Sequence, residues 1–312
     1  MGERFYDQVE QGRSLGRFEA RNQRNIMGII PSAPAHRRAS STSGGRATDD
    51  TVVERPRVEV TVDGLQVGYD GHVALSNVDL RIHGGQVVAV IGPNGAGKST
   101  LLSTIAGLIT PDLGSVRVDG RSPRASRARI AYVMQATAAN ESVPLTVRET
   151  VRMGRYATSG AFRPLTSDDR AAVDSAIDRM AISSIAGRQL HELSGGQRQR
   201  TFIAQGLAQQ ADVLLLDEPI TGLDLVTQQV ITDVIAQERD QGRVVILTTH
   251  DIGTARSADV VVLMAGRIIA AGPAAQVLTP SMLDEAYGGH AHLLDDGTMV
   301  LDDPHQHGSP EH

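Results

Sequence analysis

Val87-Val88-Ala89-Val90-Ile91-Gly92-Pro93-Asn94-Gly95-Ala96-Gly97-Lys98-Ser99-Thr100 decides how this chain is read. The first five residues are a continuous apolar run of strand length, which suits a strand buried on both faces of a parallel sheet. The next nine match the phosphate-binding P-loop pattern. Glycines let the backbone curl until successive N–H groups point inward as an anion nest. A helix opening near Ser99 adds the positive end of its dipole. Lys98 supplies a mobile full charge for phosphate oxygens, and the Ser99 hydroxyl suits Mg²⁺. Gly92, Asn94, Gly95, Gly97, Lys98, Ser99 and Thr100 are therefore the candidate nucleotide contacts. Of the 30 Lys and Arg residues, Lys98 is the single lysine. A compact ammonium on a flexible stem slips between phosphate oxygens, and a planar guanidinium does not.

Further apolar runs, Val213 to Leu216 and Val244 to Leu247, extend the same buried parallel sheet. The first runs into Asp217-Glu218. An acid pair there puts Asp217 beside the phosphate site, where it can hold a Mg²⁺-bound water, and puts Glu218 where it can deprotonate an attacking water. Alternating stretches at Val58 to Val62 and Val78 to Ile82 read as half-buried antiparallel strands. Helical patterns cover Ser99 to Leu108, Asp168 to Ile185, Gln197 to Gln210 and Val226 to Gln241. Strand alternating with helix indicates α/β architecture. Leu193-Ser194-Gly195-Gly196-Gln197 opens another helix and makes a second anion-binding N-terminus. One of two such ends can serve a partner's nucleotide.

Composition removes several other classes. There is no cysteine, so no disulfide framework, thiolate zinc site or thiol nucleophile exists. The net charge of -6 offers no global basic field for nucleic acid. Aromatics are only 3%, so the core must be built from Val, Leu, Ile and Ala. No apolar run is long enough to span a membrane, and no signal peptide is expected. Residues 1–55 are polar, with seven arginines between Arg13 and Arg46 against Glu19 alone. They read as a disordered arm, either a solvated tail or a contact for anionic lipid or a partner. After Gly289 the chain turns to His, Asp, Gly and Pro, and residues 288–312 read as a hydrophilic tail.

The order of P-loop, Gln135, Leu193 to Gln197, Asp217-Glu218, Asp224 and His250 resembles the ABC ATPase family. The resemblance covers about Arg57 to Tyr287, taken as one ATPase domain over residues 56–287. It implies a P-loop fold with a parallel-sheet RecA-like core, an antiparallel β subdomain and a helical subdomain inserted at about residues 136–195. It further implies that Tyr69 stacks on adenine and that Gln135 senses Mg²⁺ and the γ-phosphate while coupling to a membrane partner. Asp224 becomes the D-loop aspartate and His250 the switch histidine that contacts the γ-phosphate. ATP would lie between the P-loop of one subunit and Ser194, Gly196 and Gln197 of another, in a head-to-tail homodimer or a pair of ATPase subunits. Catalysis would fall to Glu218, His250 and Gln135, and Mg²⁺ to Ser99, Gln135 and Asp217.

Related ATPases that act on nucleic acid carry two ATPase domains, coiled coils or zinc modules, which this chain lacks. The arginines at 121, 124, 127 and 129 have no interleaved aromatics, so no nucleic acid partner is expected. The remaining expectation is a separate integral-membrane permease, with the ATPase cytoplasmic and peripheral on its inner face. Val143 to Glu149, Met153 to Tyr156 and Asp168 to Arg170 resemble zinc/manganese importers, served by an extracytoplasmic metal-binding protein. Ferric-chelate and cobalamin importers carry similar text. His290, His292, Asp295, Asp296, Asp302, Asp303, His305, His307 and His312 crowd the tail. Imidazole and carboxylate together suit Zn²⁺, Mn²⁺ or Ni²⁺, and a solvated tail without metal is the alternative.

Overall fold

Strand β1 (Glu59–Tyr69) buries Val60 and Val62, then Leu65 and Val67. The step from Val62 to Leu65 is odd, so strict alternation would turn half of the strand outward. A register shift between Val62 and Leu65, with Gly64 at φ 54, restores the inward face. Strand β2 (His72–His83) does the same between Leu75 and Val78, with Asn77 at φ 48. The sequence pattern therefore shows only the outer halves of two longer strands. The computed structural model describes residues 58–135, 144–160, 163–288, 291–293 and 299–301, all within the unit Pro56–His312. The arm over residues 1–55, Val143, and His290, Asp295, Asp296, Asp302, Asp303, His305, His307 and His312 lie outside the described residues. So does the side chain of His292.

Strand β3 (Gln86–Ile91) leads into the P-loop and then α1 (Lys98–Ile105). β4 (Leu113–Val118) joins β1 on the edge away from β2, completing an antiparallel sheet of order β2-β1-β4. β5 (Ile130–Val133) follows, then the short α2 (Val147–Met153) and α3 (Tyr156–Ser159), and α4 (Ser167–Arg179). Next come α5 (Gly195–Ala208), β6 (Val213–Leu216), α6 (Leu225–Asp240), β7 (Val244–Thr248), α7 (Ile252–Arg256), β8 (Val260–Met264) and β9 (Ile268–Gly272). The second sheet has the order β5-β6-β7-β3-β8-β9, parallel except for β9. Every residue of β6, β7 and β8 is buried, as continuous apolar runs require of strands covered on both faces.

The chain passes from β3 out to β5, returns through β6 and β7 to one side of β3, and then crosses to β8 on the other. β3 is thus the strand where the order reverses, and its carboxyl end is where α/β sheets bind ligands. Two helices stop sooner than their pattern suggests. α1 ends at Ile105 because Gly107 turns at φ 75. α4 ends at Arg179: Ala181 at φ 52 and a 3₁₀ turn over Ser183–Ile185 carry Ile182 and Ile185 into the core. α8 (Ala274–Val277) and α9 (Pro280–Tyr287) close the domain. Where the pattern shows only a hydrophilic tail, β10 (Ala291–Leu293) pairs with β11 (Met299–Leu301).

Candidate active site

β3, β5, β6 and β7 end on one edge of the sheet, and each delivers part of the site. Gly92 at φ 154 leaves β3 so close to β8 that a Cβ would sit 2.1 Å from the Met264 carbonyl oxygen. Gly97 at φ 90 starts α1 where a Cβ would meet Leu75 Cδ2 at 2.5 Å and the Ala74 carbonyl at 2.8 Å. Neither position admits a side chain, so the loop's curvature is enforced by packing from both sheets. Lys98 is buried at the first residue of α1. Its Nζ donates to the carbonyls of Gly92 at 2.7 Å and Pro93 at 3.0 Å. The ammonium is thereby folded back across the loop that the phosphates need.

Asp217 lies just past β6 and is 8% exposed. Thr248, the last residue of β7 and fully buried, donates its hydroxyl to Asp217 Oδ1 at 2.6 Å. The Thr248 hydroxyl oxygen also accepts the backbone N–H of Glu218 at 2.9 Å. One hydroxyl therefore holds both acids of the pair. Glu218 sits at φ 48, a left-handed conformation that costs a non-glycine residue about 1–2 kcal/mol. That turn brings its Oε2 to Gln135 Nε2 at 3.3 Å and to His250 Nδ1 at 4.0 Å. Gln135 is two residues beyond β5 and His250 two beyond β7.

Ser194, Gly196, Gln197 and Asp224 form a second cluster. Ser194 caps α5, accepting from Gln197 N at 3.3 Å while Gln197 Oε1 accepts from Ser194 N at 3.1 Å. Asp224 caps α6 through Thr227, whose N–H and hydroxyl reach it at 2.9 Å and 2.8 Å. The Thr227 backbone N–H and then its hydroxyl hold the Asp224 carboxyl below its ordinary value. A Cβ on Gly196 would lie 3.3 Å from Thr227 Oγ1 and 3.7 Å from Asp224 Oδ2, so the two helix starts pack together. Tyr69 ends β1 and is 47% exposed. The turn Asp70-Gly71, both at positive φ, pairs it with His72 in a two-residue hairpin.

Residues 75–221 match the family model described as ABC transporter. The zinc transport system ATP-binding protein TroB of Treponema pallidum is 40% identical over 231 residues, covering 74% of this chain and 87% of the relative. The chain belongs to the ABC transporter family. The manganese transport system ATP-binding protein MntB of Halalkalibacterium halodurans is 37% identical to this ABC ATPase, covering 74% of the chain and 92% of the relative. The chelated iron transport system membrane protein YfeB of Yersinia pestis is also 37% identical, covering 79% and 85%. A solved metal-chelate type ABC transporter in an inward-facing conformation superposes with a TM-score of 0.66 at 26% identity, covering 78% of this chain and 96% of that one. The fold is accordingly that of an ABC ATPase cassette, with a largely parallel core sheet, an antiparallel sheet and helices.

Two residues of this ABC ATPase's site carry no motif. Thr248 ends β7 and Tyr132 stands on β5, and neither is singled out by spacing or by residue type. Tyr132, half-buried on β5, donates to Asp217 Oδ2 at 3.2 Å. Among the described residues no group of three or more His, Asp or Glu is placed to hold a metal ion, and no helix is long and apolar enough to cross a membrane.

Proposed function

We propose that this ABC ATPase energises import of a divalent metal ion, zinc or manganese, through a separate permease. The carrying observation is the convergence of Lys98, Asp217, Glu218, Gln135 and His250 at one strand edge. The identity with zinc and manganese transport relatives supports the cargo. In this reading Lys98 and the loop amides bind the β- and γ-phosphates while Tyr69 packs on adenine. Ser99 and Asp217 fit Mg²⁺: both offer hard oxygen donors, and two hydroxyls already orient the Asp217 carboxylate. Bound there, Mg²⁺ would offset charge on the phosphate oxygens.

Glu218 takes a proton from water as the water oxygen forms its bond to the γ-phosphorus. The bond to the β–γ bridging oxygen breaks, and its electron pair leaves with ADP. Gln135 and His250 orient Glu218 and the γ-phosphate. Ser194, Gly196 and Gln197 close the site from a second copy, whose Asp224 braces that signature turn. The subunit works against the cytoplasmic face of the membrane, beside its permease and an extracytoplasmic binding protein.

Glu218→Gln keeps ATP binding and loses turnover by about 10²–10⁴-fold, the usual contribution of a general base. Hydrolysis at the parental rate would reject Glu218 as the base. Uptake by the reconstituted transporter, compared across zinc, manganese and ferric chelate, tests the cargo. The YfeB relative favours iron as the second reading.

A further inference from the structure

We propose that Tyr132 is a positioning residue for the Mg²⁺ side of the ATPase site, tying Asp217 to the P-loop helix through Ser103. The inference rests on the reading of Asp217 given above. Asp217 has two carboxylate oxygens, and each meets a different hydroxyl. Thr248 donates to Oδ1 at 2.6 Å. Tyr132 donates to Oδ2 at 3.2 Å. The phenol oxygen in turn lies 3.4 Å from Ser103 Oγ, which donates to it once the phenol proton is directed at Asp217. Both contacts of Tyr132 are long for hydrogen bonds between oxygens.

Ser103 lies four residues after Ser99 on α1, one helical turn further along. The chain Ser103–Tyr132–Asp217 therefore links the helix that carries Ser99 to the strand end that carries Asp217. Those are the two oxygen donors assigned to the cation, on elements whose separation must match its small coordination sphere. A phenylalanine would fill the same space without the hydroxyl.

The test is equilibrium binding of a fluorescent ATP analogue to the full chain, titrated with Mg²⁺ and repeated with Mg²⁺ absent. Thermal melting is measured in parallel. Tyr132→Phe raises the Mg²⁺ concentration for half-effect by about tenfold, the lower end for one hydrogen bond to a charged group. Mg²⁺-free affinity stays at the parental value and the melting temperature falls by no more than about 6 °C. Ser103→Ala shifts the Mg²⁺ curve in the same direction by a smaller factor. Asp217→Asn, run alongside, flattens the Mg²⁺ dependence. An unchanged curve in Tyr132→Phe beside a flattened one in Asp217→Asn overturns the role of Tyr132 and leaves Asp217 in place. A parental curve in Asp217→Asn overturns both. Equal losses with and without Mg²⁺, together with a lowered melting temperature, reduce Tyr132 to packing and also overturn the proposal.

Discussion

Replacing Thr248 with valine removes one oxygen and keeps the branched shape, so no cavity opens in β7. Two interactions go with that oxygen. The 2.6 Å bond to Asp217 is a buried hydrogen bond to a carboxylate, worth about 1.5–3 kcal/mol. The Glu218 N–H loses its acceptor at 2.9 Å. Leaving that donor without a partner costs about 1–3 kcal/mol, toward the low end here because Glu218 is only partly buried. The sum is roughly 3 kcal/mol. At about 2–4 °C per kcal/mol for a domain of this size, Thr248→Val melts roughly 6–12 °C below the parent. The αL turn at Glu218 also loses the bond that offsets its strain, so hydrolysis falls while nucleotide affinity without Mg²⁺ changes little. Thr248→Ser keeps the hydroxyl and loses a methyl group, at about 1 kcal/mol. Circular dichroism melts and steady-state ATPase rates on the three proteins decide the matter. A valine variant that melts within about 2 °C of the parent and hydrolyses ATP normally would refute the claim that one hydroxyl organises the acid pair.

Lys98→Arg keeps the charge but not the shape, and its larger head cannot sit between the Gly92 and Pro93 carbonyls. It loses tight ATP binding or turnover; near-normal hydrolysis would count against the assignment. Gly97→Ala forces a Cβ to within 2.5 Å of Leu75 and 2.8 Å of the Ala74 carbonyl at φ 90, so both stability and nucleotide binding fall, by urea melts and analogue titration. The Asp224 cap adds a pH dependence. Its folded value lies below the ordinary 3.8, so its charged contribution is present above that pH and is lost as pH falls through the folded value. Urea midpoints of the parent and of Asp224→Asn therefore differ above about pH 4 and converge in stronger acid. A constant difference across that range would show the carboxylate charge to be irrelevant.

Much of the fold is legible along the chain because its signals are local. Runs such as Val213 to Leu216 are short, wholly apolar and followed by an acid pair, which is what a parallel strand ending in a site must be. Other features escape for a definite reason. Gly64 and Asn77 insert the extra residues that shift β1 and β2, and an alternation pattern simply breaks there. The end of α4 is set by Ile182 and Ile185 seeking the core, a demand that comes from other elements.

The sequence by itself determined the P-loop, the acid pair, the Ser-Gly-Gly helix start and the α/β class, because curled backbone, buried strands and helix caps each need particular residues at fixed spacing. Only the tertiary structure decided that Thr248 holds both acids, that Tyr132 bridges Asp217 and the P-loop helix, and that Gly92 and Gly97 are required by Met264, Ala74 and Leu75. Those contacts join β2, β3, β5, β6, β7, β8 and α1, whose residues stand far apart in the chain. A hydroxyl on a buried strand looks like any other threonine or tyrosine until the neighbouring strand ends are brought beside it.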